Sequence, residues 1–143
     1  MIVYLDTSAV VPLLIAEPAS RFCRRLWDEG DAVTTSRLTY VETAAALAQA
    51  ERADHVKPEQ RRAALRLLDR FWAEFDVVEV DDTLVRRAAA LASDFALGGY
   101  DAVHCASAAQ LDDDDLVAAS GDRKLLGAWR ELGLSTADTV PAD

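Results

Sequence analysis

Short apolar runs that end in an acid alternate along this chain with helical patterns, and that alternation constrains the fold more than any other feature. Ile2-Val3-Tyr4-Leu5 runs straight into Asp6, and Leu116-Val117-Ala118-Ala119 runs through Ser120-Gly121 into Asp122. Short apolar strands separated by amphipathic helices imply an α/β fold with a parallel sheet covered on both faces. Strands are expected at Ile2–Leu5, Ala32–Thr35, Val77–Val80 and Leu116–Ala119, with Leu134–Thr136 as a short fifth. The first helix follows Thr7-Ser8 and breaks at Glu17-Pro18, because a residue before proline is disfavoured in the helical region. Further helices are expected up to about Trp27, over 37–52, onward from Pro58, after Asp81-Asp82, over 100–110 and over 122–132. Leu65, Leu68, Trp72 and Phe75, and later Leu84, Ala88, Leu91 and Phe95, recur at spacings of three and four, the period of one helix face.

The 143 residues suit a single domain, 1–143, with no repeat, low-complexity segment or linker. No apolar run approaches the ~18 residues that span a bilayer, which excludes a membrane role by helices. The N-terminus begins on a strand pattern without the basic region of a secretory signal, so a cytoplasmic protein is expected. Cys23 and Cys105 are the only cysteines and form no CxxC pair, so neither a disulfide framework nor a zinc site is expected. The net charge of −10 argues against a generally basic nucleic-acid binder, although arginines cluster at 21–25, 61–70, 86–87 and 123. A local basic stripe is compatible with an acidic total.

Asp6, Glu42, Asp101 and Asp122 carry the chemistry. In an open α/β sheet, ligands bind beyond the carboxyl ends of the strands, where the strand order reverses. Asp6 and Asp122 stand at two such ends, and helix-borne Glu42 and Asp101 would complete an oxygen-rich pocket. Carboxylates and water are the ligands that Mg²⁺ and Mn²⁺ prefer. Each acid has a plainer explanation as well. Asp6 suits an Asx turn, and Asp101 and Asp122 are good helix N-caps by type. Glu42 is the only charged residue between Arg37 and Glu51 and lies on or beside an apolar face, so it needs a partner or a cation.

The segments VYLDTSAVVPLL (3–14), TYVETAAAL (39–47), GGYDAVHCASAAQ (98–110) and LVAASGDRKLL (116–126) together resemble a PIN-domain ribonuclease of the VapC toxin type. The resemblance spans essentially the whole chain in order. It implies a PIN-like fold with a parallel sheet of four to five strands and helices on both faces. It also implies that Asp6, Glu42, Asp101 and Asp122 are catalytic and hold Mg²⁺ or Mn²⁺, with Thr7, Ser8, Ser120 and His104 in support. The implied activity is a metal-dependent endoribonuclease that hydrolyses RNA phosphodiester bonds through a metal-activated water. The implied partner is a cognate antitoxin that neutralises the toxin by inserting an Arg or Lys toward the acids. Operator DNA would be reached only through that antitoxin, and a homodimer or toxin–antitoxin hetero-oligomer is expected. Leu13, Leu14, Phe22 and Trp27 are the expected exposed apolar residues of the docking groove. Two departures stand out: Cys105 replaces a more usual leucine, and Gly121 should loosen the turn before Asp122.

The alternative is a catalytically silent PIN-like module that binds RNA or protein, in which the acidic quartet would usually be eroded. A phosphoacceptor domain needs paired acids after its first strand and a late lysine, and an aspartyl phosphatase needs an Asp at position 8; neither pattern is met. Asp112–Asp115 reads as a solvated turn, Cys23 and Cys105 as small core residues, and Trp27, Trp72 and Trp129 as packing residues. Arg61–Arg70 could track an RNA backbone, though a solvated helix face explains them equally well.

Overall fold

The computed structural model describes residues 1–142. Along the chain run β1 (Ile2–Leu5), α1 (Thr7–Leu14), α2 (Ser20–Glu29), β2 (Ala32–Ser36), α3 (Thr39–Arg52) and α4 (Pro58–Trp72). Then follow β3 (Asp76–Val78), α5 (Asp82–Phe95), α6 (Gly99–Gln110), β4 (Leu116–Ser120), α7 (Arg123–Glu131) and β5 (Ser135–Asp138). All pairings are parallel and the strand order is β3-β2-β1-β4-β5, so among the described residues the expected five-stranded sheet is present. β3 sits earlier and β5 later than the sequence pattern placed them, because register with β2 and β4 selects the strand residues, not the centre of the apolar run.

Alternation along β1 divides the core in two. Val3 and Leu5 face α1–α4 together with Leu47, Leu68 and Phe71, whereas Tyr4 faces α5–α7 with Leu84, Leu125 and Trp129. Helices therefore cover both faces. Leu5, Leu68 and Leu84 are at most 1% exposed, and truncating any of them to alanine should cost about 2–5 kcal/mol. Cys23 and Cys105 are buried, and burial pushes both thiols up to about 11, so they behave as small core residues and not as nucleophiles. Trp129 is core, and its indole N–H donates to the Cys105 carbonyl at 3.3 Å. Asp112–Asp115 form an exposed turn.

The expected apolar docking strip is corrected by the packing. Leu14 belongs to the core, and Trp27 stands edge-on to Phe71 and Phe75 at centroid distances of 4.6 and 5.0 Å. These aromatic contacts close the seam between α2 and the region around α4, and Leu13, Phe22 and Trp27 are each half-buried, not exposed.

β1 and β4 are neighbours, and the chain leaves β1 toward β2 on one side and reaches β4 and β5 on the other. The topological switch point thus lies between them, with Asp6 just beyond one carboxyl end and Asp122 just beyond the other.

Candidate active site

Asp6 is 4% exposed and caps α1, accepting from the Ala9 backbone N–H at 3.1 Å. Ser8 Oγ donates to its Oδ1 and Ser120 Oγ to its Oδ2, both at 2.6 Å. Burial raises the Asp6 pKa, and the His104, Ser120, Ser8 and Ala9 interactions only partly offset it. The Asx-cap explanation is therefore correct as local geometry, yet it accounts for one oxygen only. The second is held by a hydroxyl 114 residues away in sequence.

The two serines tie the strand ends together. Gly121 N–H donates to Ser8 Oγ at 2.8 Å, and Asp122 N–H donates to Ser120 Oγ at 2.9 Å. Gly121 does not loosen this turn: a Cβ there would stand 3.1 Å from Thr139 Oγ1, so its missing side chain permits close packing of the segment after β5. Asp122, half-buried, caps α7 by accepting from Leu125 N–H at 3.0 Å.

Glu42 lies in the first turn of α3. Its Oε1 accepts from Thr7 Oγ1 at 2.7 Å and faces His104 Nε2 at 2.7 Å. Burial opposes its charge, but the bonds to His104 and Thr7 prevail and the net shift is downward. His104, 2% exposed, is in turn 2.7 Å from the Tyr4 hydroxyl through Nδ1. If Tyr4 O–H donates to Nδ1, then Nε2 carries the proton that is donated to Glu42, which gives a buried Tyr4–His104–Glu42 relay. The partner that Glu42 demanded is thus found. Tyr4 was missed because a tyrosine in an apolar strand reads as core; the available signal was that a buried tyrosine hydroxyl seeks a hydrogen-bond partner.

Asp101, in the first turn of α6, is half-buried and makes no side-chain hydrogen bond among the described residues. Burial raises its pKa, and the charges of Asp122, Asp6 and Glu42 raise it further, against a lowering by His104. All four acids therefore occupy one edge of the sheet, where Asp101 senses the charges of the other three. They are not drawn into a tight knot: among the described residues no group of three or more His, Cys, Asp or Glu side chains is gathered as ready metal ligands. The donor set nonetheless suits a hard divalent cation, being all carboxylate and hydroxyl oxygen, with Asp101 making no side-chain hydrogen bond among the described residues.

Comparison with known proteins identifies the family. Residues 3–127 match the PIN domain family. The chain is 44% identical over 124 residues to "Ribonuclease VapC45" of Mycobacterium tuberculosis, covering 87% of this chain and 86% of that one. Two solved structures share its fold. VapBC2 from Rickettsia felis, bound to a DNA fragment from its promoter, matches with TM-score 0.67 at 16% identity over 96% of this chain and 98% of the other. A toxin–antitoxin complex from Klebsiella pneumoniae matches with TM-score 0.63 at 16% identity over 98% and 99%.

Proposed function

The chain belongs to the PIN-domain family, and on that premise we propose that it is a metal-dependent endoribonuclease toxin of the VapC type, held inactive by a cognate antitoxin. The observation that carries this reading is the placement of Asp6, Glu42, Asp101 and Asp122 on the edge of the sheet at the switch point, with the charged form of Asp101 disfavoured by burial and then by its like-charged neighbours. When bound, Mg²⁺ or Mn²⁺ supplies a charge that lowers the pKa of water and offsets negative charge on a phosphodiester oxygen.

The chain's own residues divide the remaining work. Asp6 and Asp101 would hold the cation directly, and Glu42 and Asp122 directly or through water. Ser8 and Ser120 fix both oxygens of Asp6, and His104 with Thr7 fixes Glu42. In this reading water is the nucleophile, and the Thr7, Ser8 and Ser120 hydroxyls serve to hold the acids. Hydrolysis breaks the bond from phosphorus to the ribose 3′-oxygen and leaves a 5′-phosphate.

The family's toxin–antitoxin character points to a partner that places an arginine or lysine among the acids, since guanidinium matches carboxylate by paired hydrogen bonds. One domain over 1–143, working on RNA in the cytoplasm, completes the proposal.

Purified protein with Mg²⁺ or Mn²⁺ should cut a mixed RNA pool at few sites, mapped by sequencing of 5′-ends, and EDTA should stop it. Asp101→Asn should bind the same RNA without cutting it. Wild-type protein that binds RNA and never cuts it with either ion would overturn the nuclease reading in favour of a silent binding module.

A further inference from the structure

We propose that single-stranded RNA flanking the cleaved phosphate lies in the groove between α2 and the segment after β5, with its backbone on Arg21, Arg25 and Arg123 and a base against Phe22. This rests on the ribonuclease reading above.

Two depressions, of about 470 and 770 Å³, share Pro18, Thr139, Val140 and Pro141 and so adjoin as two parts of one groove. One end opens on Ser8, Gly121 and Asp122, at the acid cluster. The other is lined by Arg21, Phe22, Arg25 and Arg123. The groove therefore runs from the acids to a basic surface.

Among the described residues, four of the chain's other ten arginines are committed to ion pairs. Arg24, Arg37, Arg61 and Arg86 each pair with a carboxylate. Arg21, Arg25 and Arg123 are exposed and have no carboxylate within ion-pair distance among the described residues. Glu17 and Asp138 also line the groove, and the Asp138 carboxylate accepts from Val140 N–H at 2.9 Å. Lys124, next to Arg123, is directed elsewhere and donates to the Ala96 carbonyl at 3.0 Å. In a chain of net charge −10, three guanidinium groups without a carboxylate partner on one groove favour a polyanion as its occupant.

Arg21 and Arg25 are one helical turn apart on α2 and project on the same side. The Arg25 guanidinium lies 5.5 Å from the centroid of the half-buried Phe22 ring, so both planes are ordered in advance. Guanidinium forks match phosphate, and an aromatic face accepts any base, the combination that sequence-tolerant single-strand binding uses. Arg61–Arg70, the other basic cluster, sits on α4 and contributes nothing to either depression.

The test is fluorescence anisotropy with a labelled 20-nucleotide single-stranded RNA of mixed sequence, in EDTA so that cleavage does not interfere, across a NaCl series. The Arg21→Ala/Arg25→Ala/Arg123→Ala variant should bind at least tenfold more weakly. Its salt dependence should fall in slope by about 2, at ~0.7 per lost phosphate contact to a single strand. The triple Arg→Lys variant should keep most of the slope, and Arg62→Ala/Arg66→Ala should match wild type. Phe22→Leu keeps the apolar volume and should weaken binding about tenfold with the slope unchanged. Unchanged melting temperatures would establish that these variants fold.

A triple-alanine variant with wild-type affinity and slope overturns the groove while leaving the nuclease reading intact. So does one that binds RNA normally but escapes inhibition by its co-expressed partner, which would make the groove a protein-docking surface. Wild-type protein that neither binds nor cuts RNA overturns both.

Discussion

Both edges of the sheet carry a cluster of acids, and they are built in opposite ways. At the amino edge, Asp31 and Asp115 flank the N-terminal ammonium, Asp115 at 3.0 Å. Asp112, Asp113 and Asp114 line a depression of about 350 Å³ beside Arg87. These aspartates are exposed, so their charges lie in solvent. At the carboxyl edge Asp6 is buried, Glu42 and Asp101 are half-buried, and hydroxyls and a histidine hold two of the three in place. Charge density alone does not make a site. The carboxyl edge is distinguished by groups kept partly or wholly out of water and oriented by hydrogen-bonding neighbours.

The comparison breaks most simply at one acid on each edge. Asp6→Ala should lower RNA cleavage by about 10³-fold or more, the scale of losing one preorganised electrostatic group at a reacting centre. Asp114→Ala should leave cleavage within experimental error of wild type. Equal losses at both edges, measured as initial rates on one RNA, would mean that the amino edge also takes part in the reaction.

Cation binding separates the edges next. A ligand that binds only the folded state stabilises it by about 2.7 kcal/mol at 100 times its Kd, roughly 5–10 °C for a chain of this size. Mg²⁺ or Mn²⁺ should raise the melting temperature of wild type and of Asp113→Asn, but not of Asp6→Asn/Asp101→Asn. The sign of the metal-free effect follows from the shifts. Asp101 has its folded pKa raised above 3.8 by burial and by Asp122, Asp6 and Glu42, so the folded state binds the proton more tightly than the unfolded state. Stability is then lost as pH rises from 3.8 through the raised value. Metal-free Asp101→Asn should accordingly melt higher than wild type at pH 7, with the gain shrinking toward pH 4. The same cation shift in wild type and the double variant would remove the carboxyl edge as the binding site.

Much of this division was legible in the sequence. Apolar runs ending in Asp6 and near Asp122 placed both acids at strand ends, and the helical periods located every helix to within a few residues. What sequence could not convey was tertiary. The Ser8 and Ser120 hydroxyls meet only because β1 and β4 pair. Trp27 is occupied because Phe71 and Phe75 come from beyond α3. Gly121 is small because Thr139 packs on it, not because the turn is loose. Tyr4 reaches His104 across 100 residues, a contact that no local pattern encodes.

That last contact gives the smallest expected effect and the finest test of the comparison. Tyr4→Phe keeps the ring, including its edge contact with Trp129 at 5.9 Å, and removes only the hydroxyl that meets His104 Nδ1. A buried hydrogen bond is worth about 1 kcal/mol net, with up to ~3 if the abandoned partner stays dry and unpaired, so the melting temperature should fall by a few degrees. Activity should fall as well, although Tyr4 lies inside the core and touches no substrate. Partners that orient a ligand typically matter by 10–100-fold, and Glu42 keeps its bond to Thr7, so a loss of about tenfold is expected. His104→Gln should lose more, and the double variant should lose no more than His104→Gln alone, because the hydroxyl acts only through the imidazole. Losses from Tyr4→Phe and His104→Gln that multiply in the double variant would show that Tyr4 contributes by packing, and that the order at the carboxyl edge does not extend into the core.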